Sequence, residues 1–138
     1  MKIIKLGKEV DEKYYQFIDS EFEKYSKKNG INCGFNSFTY VAEDDGKTVG
    51  VLTGHSYYDE VHIGDLVVLE EYRHQHIGSQ LVNQAIEEHR GKGFKNITLS
   101  TYEFQAKEFY KKLGFEVEFK RENKDNEKLN KYFMTKNY

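Results

Sequence analysis

One stretch in the middle of the chain constrains its fold more than any other. Val61-His62-Ile63-Gly64-Asp65-Leu66-Val67-Val68-Leu69 is a long apolar-rich strand pattern, broken near Gly64. Ile77, Leu81, Val82, Ala85 and Ile86 then recur at helical spacing until Gly91 or Gly93, and Ile97-Thr98-Leu99-Ser100 reads as another strand. Two strands joined by a helix have to be parallel, with a right-handed crossover, so the chain is an α/β protein with at least one parallel pair. Gly64 inside the strand predicts a bulge or a close backbone approach. The join between strand and helix carries Arg73-His74-Gln75-His76-Ile77-Gly78-Ser79-Gln80. N–H groups in a helix's first turn lack internal partners and the peptide dipoles add positive charge there, so the join reads as an anion seat, strengthened by Arg73, His74 and His76. The alternative is a strand-to-helix turn that binds nothing.

Upstream, Ile3, Ile4 and Leu6 predict a short first strand. Val10, Tyr14, Phe17, Ile18, Phe22 and Tyr25 predict an amphipathic helix of roughly 18 residues, stopped by Asn29-Gly30. Its aromatic stripe reads as core, with a pocket border at its loop-side end as the alternative. Residues 30–37 form a loop. Phe38 to Val41 and Thr48 to Leu52 flank Asp44-Asp45-Gly46-Lys47, a hairpin signal because Gly accepts the positive φ of a tight turn. His55 to Glu60 is a polar connection. Downstream, Ala106, Phe109, Tyr110 and Leu113 share a helix face that ends at Gly114, Phe115, Val117 and Phe119 alternate as a strand, and Tyr132-Phe133-Met134 is the last strand. Residues 120–130 are charged or polar and read as a solvated loop. With no second boundary, residues 1–138 are expected to form a single domain.

Composition narrows the partners. A formal charge of -2, from 21 basic and 23 acidic residues, argues against bulk binding to nucleic acid or anionic membrane, so an anion has to be held locally. Cys33 is the only cysteine and no metal-ligand spacing accompanies it, so neither a disulfide nor a metal site is expected. A leading signal segment and a long apolar span are both missing, and a cytoplasmic location is the expectation. The core should be rich in aromatic side chains, since the chain has ten Phe and eleven Tyr.

The element order, the Tyr72-Arg73-His74-Gln75-His76-Ile77-Gly78-Ser79 turn and the later Ala106-Lys107-Glu108-Phe109-Tyr110-Lys111-Lys112-Leu113-Gly114-Phe115 segment resemble the GNAT superfamily of N-acetyltransferases. The family's pyrophosphate motif falls on Arg73, His76 and Gly78, and the second signature is matched at every specified position. The resemblance implies a mixed, mostly antiparallel central sheet of about six to seven strands with flanking helices and a parallel pair around the cofactor-binding helix. It implies acetyl-CoA as the acetyl donor, held by Leu66, Val67, Val68, Arg73, His74, Gln75, His76, Ile77, Gly78 and Ser79. The acceptor would be a small-molecule or peptide amine, and dimerisation through an edge strand such as residues 131–136 is compatible with the family. His76 stands where the family has its first glycine; a negative φ with the ring turned outward would preserve phosphate binding, and weakened acetyl-CoA binding is the alternative. Glu103 stands where many relatives carry an Asn that contacts the cofactor.

Acetyl transfer from a thioester to an amine needs a held cofactor, a stabilised oxyanion, a base for the amine and an acid for the departing thiolate. By resemblance, an N–H near Leu66 or Val67 faces the thioester oxygen. Tyr110 is the candidate acid, its alternative being a packed core tyrosine; a phenol stays protonated at neutral pH. Asp65 is the first candidate for the base, followed by Glu60, His62 and His55. The function expected is direct acetyl transfer to a primary amine in a ternary complex, with a non-catalytic acyl-CoA-binding module as the rival.

Overall fold

The computed structural model describes residues 1–138. Its elements are α1 (Glu12–Lys28), β1 (Asn36–Asp44), β2 (Lys47–Tyr57), β3 (Glu60–Val68), α2 (Ile77–His89), β4 (Asn96–Tyr102), α3 (Lys107–Lys112), β5 (Glu116–Arg121) and β6 (Lys131–Asn137). One six-stranded sheet has the order β1-β2-β3-β4-β6-β5, and β3 with β4 is its single parallel pair. The α2 crossover from β3 to β4 enforces that direction.

Local chemistry explains the joints. β1 and β2 meet through Asp45 (φ 50) and Gly46 (φ 80), both left-handed, the geometry whose twist matches the flanking strands. Along β3, Thr53 opposes Asp65 while Gly54 opposes Ile63, so Gly64 is the extra residue of a bulge, as its position in the strand predicted. Leu52, Val61, Ile63, Ile97, Leu99, Tyr132 and Met134 are buried at alternate strand positions and share one core with Leu81, Val82, Ala85 and Ile86 of α2 and with Tyr110 and Phe115. The opposite face of the sheet carries His55, His62 and Thr98.

Gly54 sits where this packing is tightest. A Cβ there would come within 2.6 Å of the His62 carbonyl oxygen and would strike the Phe38 ring. The ring can move and the strand carbonyl cannot, so Gly54→Ala is expected to destabilise the fold by about 2 kcal/mol or more, read as a lower urea midpoint.

Three expectations are corrected. Residues 3–6 form no strand, and Ile3 is 92% exposed, because neither sheet edge takes them as a partner. The aromatic stripe of α1 is not core: Ser26 is its one buried residue, while Phe17 and Tyr25 are 64% and 71% exposed. Residues 131–136 lie in β6, which is paired on both sides by β4 and β5, so the edges are β1 and β5. No helix is long and apolar enough to cross a membrane.

Candidate active site

β3 and β4 pair only at Glu60 with Asn96, Val61 with Ile97 and His62 with Thr98; each then runs on without the other. Leu66, Val67 and Val68 therefore lie along an opening in the sheet. The chain continues through a 3-10 turn at Glu70–Tyr72 into α2, whose cap residue is His76. The N–H groups of Ile77, Gly78 and Ser79 have no acceptor in the protein, since the first bond at this end runs from Gln80 to the His76 carbonyl. Arg73 Nε donates to the Val68 carbonyl at 3.2 Å, tying the guanidinium to the end of β3.

These parts converge on one groove of about 570 Å³. Of the ten residues expected to hold the cofactor, Leu66, Val67, Val68, Arg73, His74, His76, Ile77, Gly78 and Ser79 line it, and Gln75 instead lines a separate depression against β1. The far wall is Ala106, Phe109 and Lys112. The sequence puts Ala106 and Phe109 on one helix face without giving them a binding role; the three-residue spacing that adds Lys112 puts all three on one side of α3. Gly78 matters here for space rather than φ, since a Cβ on it would lie 3.3 Å from Phe109 Cζ. Its bare backbone lets α3 approach the start of α2.

The negative φ that would have preserved phosphate binding under His76 is not the one the turn adopts. The residue is left-handed, at φ 63 and ψ 17, and His74 is left-handed too, at φ 66. The turn therefore keeps the conformation a glycine adopts freely, now under a histidine, where an L side chain crowds the backbone by roughly 1–2 kcal/mol. His76→Gly is expected to raise Tm by a few degrees, less whatever entropy the unfolded chain gains, and to keep or tighten CoA binding. Calorimetric weakening by tenfold or more would mean that the imidazole itself holds the ligand.

Tyr110 and Asp65 lie outside the groove's lining. Tyr110 is 7% exposed and stands edge-on to Phe109 and Phe115, with ring centroids 5.0 and 5.7 Å away. Its hydroxyl has no partner in the protein and is not fully enclosed. Burial pushes the phenol up to about 12. Asp65 is exposed at the bulge, where Thr53 Oγ1 donates to its carboxylate at 3.2 Å and accepts from its N–H at 3.1 Å. Glu103 is engaged within the protein, 3.7 Å from Lys107.

His62 is the last β3 residue paired with β4, half-buried where the strands part. Its Nδ1 lies 2.9 Å from Thr98 Oγ1, which in turn reaches the Val61 carbonyl at 3.5 Å. In the tautomer that places the proton on Nδ1 for donation to Thr98, Nε2 is the acceptor nitrogen and no protein group occupies it. Burial, and secondarily the His55 ring 5.3 Å away, holds His62 below the ordinary imidazole range.

Residues 7–115 match the model of the acetyltransferase (GNAT) family. The chain belongs to that family. Acetyl-CoA is the acetyl donor of the family. Among solved structures, the chain is similar over 99% of its length to 98% of an acetyltransferase from Bacillus cereus, at 27% identity and a TM-score of 0.76. It is also similar to an aminoglycoside 6'-acetyltransferase type Ii, at 26% identity and TM-score 0.63 over 73% of this chain and 68% of that one. An aminoglycoside 6'-N-acetyltransferase complexed with coenzyme A shares the fold, at 22% identity and TM-score 0.64 over 73% and 72% of the two chains. The six-stranded mixed sheet with one parallel pair is thus the sheet of a GNAT acetyltransferase.

Proposed function

We propose that residues 1–138 act as one N-acetyltransferase domain that moves the acetyl group of acetyl-CoA directly to a primary amine in a ternary complex. The observation that carries this reading is the coincidence, in one groove, of the end of β3 beyond its pairing with β4 and a helix start with three free N–H groups. Those N–H groups suit a pyrophosphate, with Arg73 at its side and Lys112 across from it. The pantetheine arm follows Leu66 to Val68, and an N–H of Leu66 or Val67 receives the oxyanion. That an aminoglycoside 6'-acetyltransferase is among the similar structures supports an amine as acceptor.

In the proposed sequence the neutral amine attacks the thioester carbon and its proton passes to His62 Nε2. His62 is placed ahead of Asp65 because its acceptor nitrogen is free at the parting, whereas the Asp65 carboxylate is engaged by Thr53. The C–S bond then breaks and Tyr110 returns a proton to the sulfur. The rival, an acyl-CoA-binding module, predicts CoA binding without turnover. Acetyl-CoA incubated with a panel of primary amines is expected to release free thiol in step with acetylated amine; tight CoA binding with no thiol release from any amine would favour the rival.

A further inference from the structure

A second cavity, of about 650 Å³, lies between α1 and the turn that joins β2 to β3. Two hydrogen bonds pin its three segments together. Ser26 Oγ and the Tyr58 hydroxyl are 3.3 Å apart, and the Tyr58 N–H donates to the Cys33 carbonyl at 2.8 Å. Tyr58 holds φ 53 in a tight turn, a conformation strained for a bulky residue, and its ring is thereby aimed into the cavity. Tyr15, Phe22, Phe35, Tyr57 and Tyr58 supply aromatic wall, and the only carboxylates are Asp19 and Glu23. Glu23 is engaged with Lys27 at 3.0 Å, while Asp19 has no ion pair and no side-chain hydrogen bond. Aromatic faces around an unpaired carboxylate form a site for a cation.

A chain of rings leads from this cavity to the parting of the strands. Tyr57 stacks on His55 at 5.3 Å, and His55 lies 5.3 Å from His62. The attacking nitrogen has to be neutral and beside His62, so the cation held at Asp19 is a different group, in the cavity that Tyr57 reaches two ring-to-ring steps from His62. We propose that the acceptor is a dicationic amine, and that the aromatic cavity at Asp19 binds its second, non-reacting ammonium group. This rests on the acetyl-transfer reading above. Asp19 is exposed, so a monoamine's tail neither gains nor loses its charge, and only a second ammonium group gains the contact, which is the basis of selection.

The test is equilibrium binding of 1,8-diaminooctane and 1-aminooctane to the CoA-loaded protein by titration calorimetry, with thiol release followed on parallel samples loaded with acetyl-CoA instead. The diamine is expected to bind at least tenfold more tightly, and Asp19→Asn to bring it to the level of the monoamine while leaving the monoamine and CoA unchanged. Glu23→Gln, next to it on α1, is expected to change the ratio by less than threefold. Equal binding of the two amines, or a preference that survives Asp19→Asn, would overturn the proposal whether or not acetyl transfer occurs. Selective diamine binding without thiol release would uphold the cavity's role and overturn the transferase reading instead.

Discussion

Tyr110→Phe is expected to lower kcat about a hundredfold or more, the usual weight of a positioned proton donor, with the dissociation constant of CoA unchanged. The phenyl ring keeps the edge-on contacts with Phe109 and Phe115, and the lost hydroxyl has no protein partner, so folding should be nearly unaffected. The phenol, pushed up to about 12 by burial, holds its proton throughout the working range. The same desolvation raises the proton affinity of a thiolate released nearby, which keeps the transfer feasible. The wild-type profile should therefore show no Tyr110 limb below about pH 10. A kcat within twofold of wild type at unchanged CoA binding would assign protonation of the thiolate to another group.

His62→Gln is the second large effect, an expected loss of about a hundredfold in kcat/KM at pH 7. Glutamine retains a hydrogen-bonding partner for Thr98 but has no basic nitrogen. The sign of the pH dependence follows from what the base must be: it acts neutral, and burial with His55 nearby lowers its pKa. Expressed per neutral amine, kcat/KM of the wild-type enzyme is therefore on its plateau at pH 7 and falls only below the ordinary imidazole value of about 6.5. His55→Ala relieves part of the repulsion and should move that limb upward. The assignment fails if His62→Gln keeps both the rate and the acid limb while Asp65→Asn abolishes them, which would return the role to Asp65.

The β3-α2-β4 unit was legible in the sequence because burial alone dictates its pattern. Leu81, Val82, Ala85 and Ile86 are buried, and so are the alternate residues Ile97 and Leu99, so helical and strand periods each report a real interior. The Gly64 bulge was legible because glycine inside a strand has few other uses. Where local pattern failed, a distant partner decided the outcome. Ile3, Ile4 and Leu6 have strand propensity, but a strand exists only where another offers its backbone. The stripe of α1 shows amphipathicity without saying what covers it, and it faces a cavity and solvent instead of the core. The motif drew attention to Tyr110, whereas its neighbour Phe109 is the one that lines the groove. The sign of φ at His76 could not be read from residue type; the turn around it sets the value.

The three residue pairs that join β3 to β4 divide the sheet into β1-β2-β3 and β4-β6-β5. Backbone pairing across the seam is short, so amides along it are expected to exchange before those of the core, which spans both halves. A ligand in the groove touches β3 and α2 on one bank and α3 on the other, so it staples the halves. Saturation with CoA should then slow exchange along the seam and raise the midpoint of the melting transition, by about 2.7 kcal/mol of added stability at a hundredfold excess over Kd. Occupancy of the groove thus adds to the shared core a second tie between the two sides of the seam.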